Sequence, residues 1–172
     1  GKSTFLKIIS GLENPNDILI SYDGIVSTDN LLRPKVDIVF QSLYLPSGSF
    51  YKHIRDFNKF NLNDAEKYYR LMGLKDELGS LRNLILTDNA ANLSQGQKQR
   101  LCILRSILNN PTILILDEPS SNIDYKNVLI LKKIINFLSK KITIIIVSHD
   151  SLIYDLFDEC YKINKNKFII DK

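Results

Sequence analysis

The chain has 172 residues, 44% hydrophobic and 24% charged, which suits one globular domain with a sizeable core. Its 23 basic side chains are interspersed with 19 acidic ones and form no block, so the net charge of +4 does not mark a nucleic-acid binder. Two cysteines, Cys102 and Cys160, exclude a disulfide framework or a paired zinc site and are expected to be buried, and no apolar run approaches the ~20 residues of a membrane-spanning helix.

From the start, Phe5, Leu6, Ile8 and Ile9 have the spacing of a short helix that follows Gly1-Lys2-Ser3-Thr4 and stops at Gly11. Residues 18–20 and 25–26 flank Tyr22-Asp23-Gly24 as a strand, turn and strand, and 36–40 read as a buried strand ending at Gln41. From about 49 to 86 the period becomes helical, with Asn63 placed as an N-cap and Glu66 in capping-box spacing. Residues 97–108 form an amphipathic helix, broken at Asn109-Asn110-Pro111. A continuous apolar strand at 113–116, a helix at about 127–139 and a second apolar strand at 142–147 follow, and 160–170 suit an edge hairpin. Strands without alternation, separated by helices, predict a parallel sheet covered on both faces.

Three stretches carry chemistry. Gly1-Lys2-Ser3-Thr4 matches the second half of a phosphate-binding G-x-x-x-x-G-K-[ST] loop, where backbone amides at a helix start surround phosphate oxygens. On its own, the string also suits a plain helix N-terminus. Ile113-Leu114-Ile115-Leu116-Asp117-Glu118 delivers two carboxylates at a strand's C-terminal end, where open α/β sheets bind ligands. In isolation that pair could equally be acidic caps after a core strand. Ser94 and Gly96 offer a hydroxyl and an unobstructed amide at the next helix start.

The run Asn92-Leu93-Ser94-Gln95-Gly96-Gln97-Lys98-Gln99-Arg100 resembles the signature motif of the ABC ATPase family. Gln41 resembles that family's Q-loop glutamine, Ser121-Asn122-Ile123-Asp124 its D-loop and His149 its switch histidine, all in family order. The resemblance covers nearly the whole chain. It implies an α/β P-loop NTPase over 1–172, with a mostly parallel sheet and a helical subdomain, about 49–100, inserted before the signature. It further implies ATP and Mg²⁺ as ligands. Gly1, Lys2, Ser3 and Thr4 would face the phosphates, and Ser3, Gln41 and Asp117 the metal. Glu118, with Gln41 and His149, would act in hydrolysis. Ser94, Gln95, Gly96 and Gln97 would reach nucleotide held by a second such domain, in a homo- or heterodimer joined through Ser121 and Asp124.

The chain departs from the family in three places: the phosphate loop begins midway, Gln95 replaces a usual Gly, and Ile123 replaces a usual Leu. The first departure implies a longer reading frame that supplies the rest of the loop and its leading strand. Thr87-Asp88-Asn89-Ala90-Ala91-Asn92-Leu93 and the stretch from Ser42 to Phe50 resemble exporter segments that meet a transmembrane domain, fused upstream or separate. The expectation is therefore a transport ATPase at the cytoplasmic face of the membrane, with no nucleic-acid partner. The competing readings are a soluble ABC ATPase acting on ribosomes or DNA, and an inactive remnant. His53 is expected at the surface, and Asp155 and Asp158 are expected to be solvated helix charges.

Overall fold

The computed structural model describes residues 2–13, 21–22, 24–26, 34–57, 60–164 and 167–170. Gly1, the expected strand at 18–20, Asp23 of the first turn and the centre of the last hairpin lie outside them. Helix α1, Lys2–Ile9, buries Leu6 and ends where Gly11, at φ 76°, returns its N–H to the Ile8 carbonyl. Strands β1, Ser21–Tyr22, and β2, Ile25–Val26, pair antiparallel. Strand β3, Val36–Val39, opens the main sheet.

The helical period after Gln41 resolves into a short strand β4, Gly48–Ser49, and helices α2, Phe50–Phe57, α3, Leu62–Leu71, and α4, Leu74–Leu78. Strand β5, Ile85–Leu86, closes the insert by pairing antiparallel with β4. Asn61 rather than Asn63 caps α3: its side chain accepts the Asn63 N–H at 2.9 Å, which puts Asp64 instead of Glu66 at the third helical position. Two asparagines two residues apart are equally good caps by composition, and the extended backbone at Asn61 decides between them.

Helix α5, Gln95–Ile107, strand β6, Ile113–Asp117, helix α6, Tyr125–Leu138, and strand β7, Thr143–Val147, follow as expected within two residues at each end. The order in the sheet is β3-β6-β7, all parallel, with Val39 opposite Leu116 and Asp117 opposite Val147. The middle of β6 is buried, as its continuous apolar run predicts, whereas β7 is half-buried over most of its length. Strands β8, Tyr161–Asn164, and β9, Lys167–Ile170, form the predicted hairpin. Among the described residues no helix is long and apolar enough to cross a membrane.

One apolar core runs from Phe50 and Ile54 of α2 through Tyr69 of α3 and Leu101 and Leu104 of α5 to Leu114 of β6 and Leu131 of α6. The insert is also tied to α5 by charge. Arg100, 3% exposed, donates from two nitrogens to the two carboxylate oxygens of Glu77 on α4, at 2.9 and 2.8 Å, and to the Met72 carbonyl at 2.8 Å. A guanidinium fork against a carboxylate is the geometry in which a buried charge is best compensated.

Several smaller expectations are corrected. Cys102 is buried, and its thiol is pushed up to about 11 by that burial, but Cys160 is half-buried. His53 is half-buried too: desolvation, then the charge of Arg105, lowers its pKa. Asp155 lies in a 3₁₀ segment, Ser151–Leu156, and is bound by Lys132 of α6 at 2.7 Å, while Asp158 falls beyond that segment on exposed chain.

The clasp makes stability depend on acid. The Arg100 hydrogen bond, opposed by burial and reinforced by Gln97, holds Glu77 below the ordinary value of 4.5. The unfolded chain therefore takes up this proton first, so the contribution is complete above pH 4.5 and is lost as the pH falls below it through the folded value. In urea melts, the stability difference between wild type and Glu77→Gln is expected to shrink as the pH is taken from 7 to below 4.5; a difference independent of pH would refute it.

Candidate functional site

The parallel register decides where the chemistry collects. Gln41 stands two residues beyond β3, Asp117 and Glu118 at the end of β6, and His149 two residues beyond β7, so all four come out at one carboxyl edge. Lys2, on the first turn of α1, faces the same edge. Together with Val147 these residues line a cleft of about 440 Å³.

Glu118 is aimed by an unusual backbone. Its φ of 48° is left-handed, a conformation that costs a non-glycine residue roughly 1–2 kcal/mol and is held only where surroundings enforce it. Here its N–H is tied to the Val147 carbonyl at 2.8 Å, and its carbonyl accepts the Ser121 N–H and hydroxyl at 3.1 and 2.8 Å. The carboxylate then accepts the His149 N–H at 3.3 Å and lies 3.9 Å from the Lys2 ammonium and 3.5 Å from His149 Nε2. Lys2 Nζ also contacts His149 Nε2. Lys2, Glu118 and His149 thus form one mutually contacting group at the mouth of the cleft.

Asp117 is tuned differently. Burial, then the neighbouring Glu118 carboxylate, pushes its pKa up, against the pull of Lys2. A cation beside it would relieve both penalties. No cluster of three or more His, Cys, Asp or Glu side chains forms a metal cage among the described residues. The donor set of Asp117 and Gln41 instead suits Mg²⁺, which is typically held by one or two carboxylates plus substrate phosphates. Thr4 is exposed on α1, and the Ser3 side chain and Gly1 lie outside the described residues.

The other predicted residues lie elsewhere. Ser94, Gln95, Gly96 and Gln97 form the N-terminus of α5 and do not line the cleft. Ser94 accepts the Gln97 N–H at 3.2 Å and Gln97 accepts the Ser94 N–H at 2.9 Å, a reciprocal capping box that leaves the Ser94 hydroxyl proton free to donate. Gln95 is exposed. Asp124 is the N-cap of α6 and accepts from both the backbone and the side chain of Asn127, each at 2.9 Å.

Sequence reasoning missed the neighbours of this helix start. A Cβ on Gly96 would stand 2.5 Å from the side chain of Asn127, so any larger residue here must displace that side chain, which is itself bonded to Asp124. Asp124 and Asn127 have the spacing of a local cap, a signal that was available; nothing local announces that Asn127 then meets Gly96. Asn92 likewise accepts from both the N–H and the hydroxyl of Thr87 and donates to the Ile85 carbonyl, while Asn89 accepts the Leu45 N–H at 3.5 Å. The Leu45–Asn89 bond joins the segment after Gln41 to the one before Ser94, and the Asn92 bonds brace that second segment internally.

A lysine at a helix start, set against a carboxylate pair that ends the neighbouring parallel strand, defines a P-loop nucleotide-binding α/β domain. The family model for ABC transporters matches residues 1–121, and the chain belongs to that family. It is 29% identical over 98% of its length to the ATP-dependent lipid A-core flippase of Blochmanniella floridana. It is 35% identical over 87% of its length to the phosphate import ATP-binding protein PstB of Ehrlichia ruminantium. To the lacticin-481/lactococcin-DR transport/processing ATP-binding protein of Lactococcus lactis it is 35% identical over its whole length. The chain spans 30%, 65% and 25% of these relatives in turn.

Gly96→Ala is expected to destabilise the protein by about 1–3 kcal/mol through overpacking against Asn127. Most of that loss should be recovered in the Gly96→Ala, Asn127→Ala double variant, read from chemical denaturation midpoints as a coupling energy. Additive effects would show that the close approach does not govern this position.

Proposed function

We propose that this chain is the ATP-binding and ATP-hydrolysing domain of a membrane transporter, working at the cytoplasmic face of the membrane with a transmembrane partner. The observation that carries this reading is the convergence of Lys2, Gln41, the adjacent pair Asp117 and Glu118, and His149 on one cleft from four separate places in the chain. Residues 1–172 act as one nucleotide-binding domain, with a helical subdomain at about 49–100.

In this reading Lys2 donates to the β and γ phosphates of ATP, with Gly1, Ser3 and Thr4 at the same helix start. Gln41, Asp117 and the Ser3 hydroxyl would hold Mg²⁺, which supplies neutralisation of phosphate charge when bound. Glu118 orients the attacking water and accepts its proton. The 3.9 Å contact between Lys2 and Glu118 bears on this step: drawing the ammonium to phosphate frees the carboxylate from its cation and leaves it available as the base. His149, 3.5 Å from the Glu118 carboxylate, contacts the γ phosphate.

A second domain of the same kind, identical or not, supplies Ser94, Gln95, Gly96 and Gln97 to the nucleotide from across the dimer, with Ser121 and Asp124 at the interface. The α5 start has what that role needs: a hydroxyl proton not used by its capping box, and helix amides beside a residue without a side chain. The transmembrane partner would seat on the surface where Tyr44 and Ile85 are 65% and 57% exposed, over the bonded segments on either side of the insert. Export is the favoured direction, from the resemblance of those segments to exporter sequences. Import is the second reading, favoured by the 35% identity to the phosphate import protein.

In the full-length protein, Glu118→Gln is expected to lower phosphate release by roughly 10²–10⁴-fold while ATP binding is retained. Lys2→Ala is expected to weaken nucleotide binding itself, measured at equilibrium. Undiminished turnover in Glu118→Gln would overturn the assigned mechanism, and unchanged nucleotide affinity in Lys2→Ala would overturn the phosphate-loop assignment.

A further inference from the structure

The α5 start is held from outside its own helix. Glu77, on α4 of the insert, accepts from Arg100 through both carboxylate oxygens and from the Gln97 side-chain amide at 3.0 Å. Each partner passes the constraint on. Gln97 accepts the Ser94 N–H at 2.9 Å, and Arg100 Nε donates to the Gly96 carbonyl at 3.1 Å. One carboxylate therefore governs both the residue that carries the hydroxyl and the residue that lacks a side chain. Lys126 adds a more distant positive charge to the same group.

We propose that Glu77 is a positioning residue for phosphate capture: it fixes the Ser94 hydroxyl and the Gly96 amide in the orientation they present across the dimer, and it makes that orientation follow the helical insert. The inference rests on the function proposed above. It differs from a general stabilising role because Glu77 lies outside the cleft lined by Lys2, Gln41, Asp117, Glu118 and His149. Loosening it leaves the nucleotide's own binding cleft intact and displaces only the groups arriving from the opposite domain.

The discriminating variant is Glu77→Gln. It keeps the shape of the side chain but turns one acceptor oxygen into an NH₂ that cannot receive a bond from Arg100 or Gln97. The measurements are kcat for ATP hydrolysis and the equilibrium affinity for ADP, which lacks the γ phosphate and so reads the Lys2 cleft without the opposite domain. Glu118→Gln is assayed beside them in the full-length protein. The expected result is a kcat lowered roughly ten- to hundredfold with ADP affinity unchanged, as for displaced groups acting on an intact binding site.

Wild-type kcat in Glu77→Gln, alongside turnover that Glu118→Gln abolishes, overturns this inference and leaves the proposed function standing. Turnover that is absent from wild type, or indifferent to Glu118→Gln, overturns the function and the inference with it. A parallel fall in kcat and ADP affinity makes Glu77 merely structural and also overturns it. Should Glu77→Gln not fold, Glu77→Asp takes its place: it keeps the charge against Arg100 but is one methylene too short to hold Gln97 as well, and the same split in kcat and affinity is required.

Discussion

The parallel pairing of β3, β6 and β7 is the constraint on which the candidate site depends. In an antiparallel sheet the residues following successive strands would leave at opposite edges; here three strands end together. The register sets Val39 beside Leu116 and Asp117 beside Val147, so Gln41, Glu118 and His149 need only one or two further residues each to reach the same cleft. The apolar run of β6 is thus more than core material. Burying Leu114, Ile115 and Leu116 holds the strand that carries the carboxylates, and the left-handed turn at Glu118 is tolerated because the Val147 carbonyl and Ser121 bind both sides of it.

The α5 start is held by other means. It is set by a buried guanidinium, a carboxylate from the insert and the close approach of Asn127. A hydrogen-bonded sheet and a clasp across two elements differ in how they yield. The sheet is held by a ladder of backbone bonds, whereas the clasp rests on the side chains of Glu77, Gln97 and Arg100. The insert also packs directly on α6: Tyr68 of α3 meets Phe137 of α6 edge-on at 6.2 Å, with the Lys141 ammonium 4.8 Å from the Phe137 ring centroid.

The parts legible in the sequence were those written in local pattern. Continuous apolar runs announced β6 and β7, Gly11 announced the end of α1, and Asp117-Glu118 after an apolar strand announced the acidic end of the cleft. Contacts between distant segments were not legible. Glu77 on a short polar helix reads as a solvated charge, and its partner lies 23 positions away on a helix where Arg100 looks like the edge of an amphipathic face. His53 misled for the same reason, since its partial burial and the nearby charge of Arg105 come from tertiary packing. Gly96 was found for an incomplete reason: its missing side chain answers to Asn127, a demand that no nearby residue discloses.

Charge connects the two regions. In the cleft, one ammonium stands against Glu118 and contacts the His149 imidazole, and burial and Glu118 disfavour the charge on Asp117. Among the described residues lining the cleft, Lys2 is the only lysine or arginine, so further neutralisation of a polyphosphate would come with the ligand or from helix amides facing it. If the α5 start supplies such amides, as proposed, it does so without adding an unmatched charge, because its buried cation, Arg100, is paired with Glu77. A site completed by amides and hydroxyls, instead of by a second lysine, binds phosphate strongly only when those donors are well placed. On the proposed reading, orientation at Ser94 and Gly96 would carry more weight than charge, and the bonds from Gln97 and Arg100 to Glu77 are what would set it.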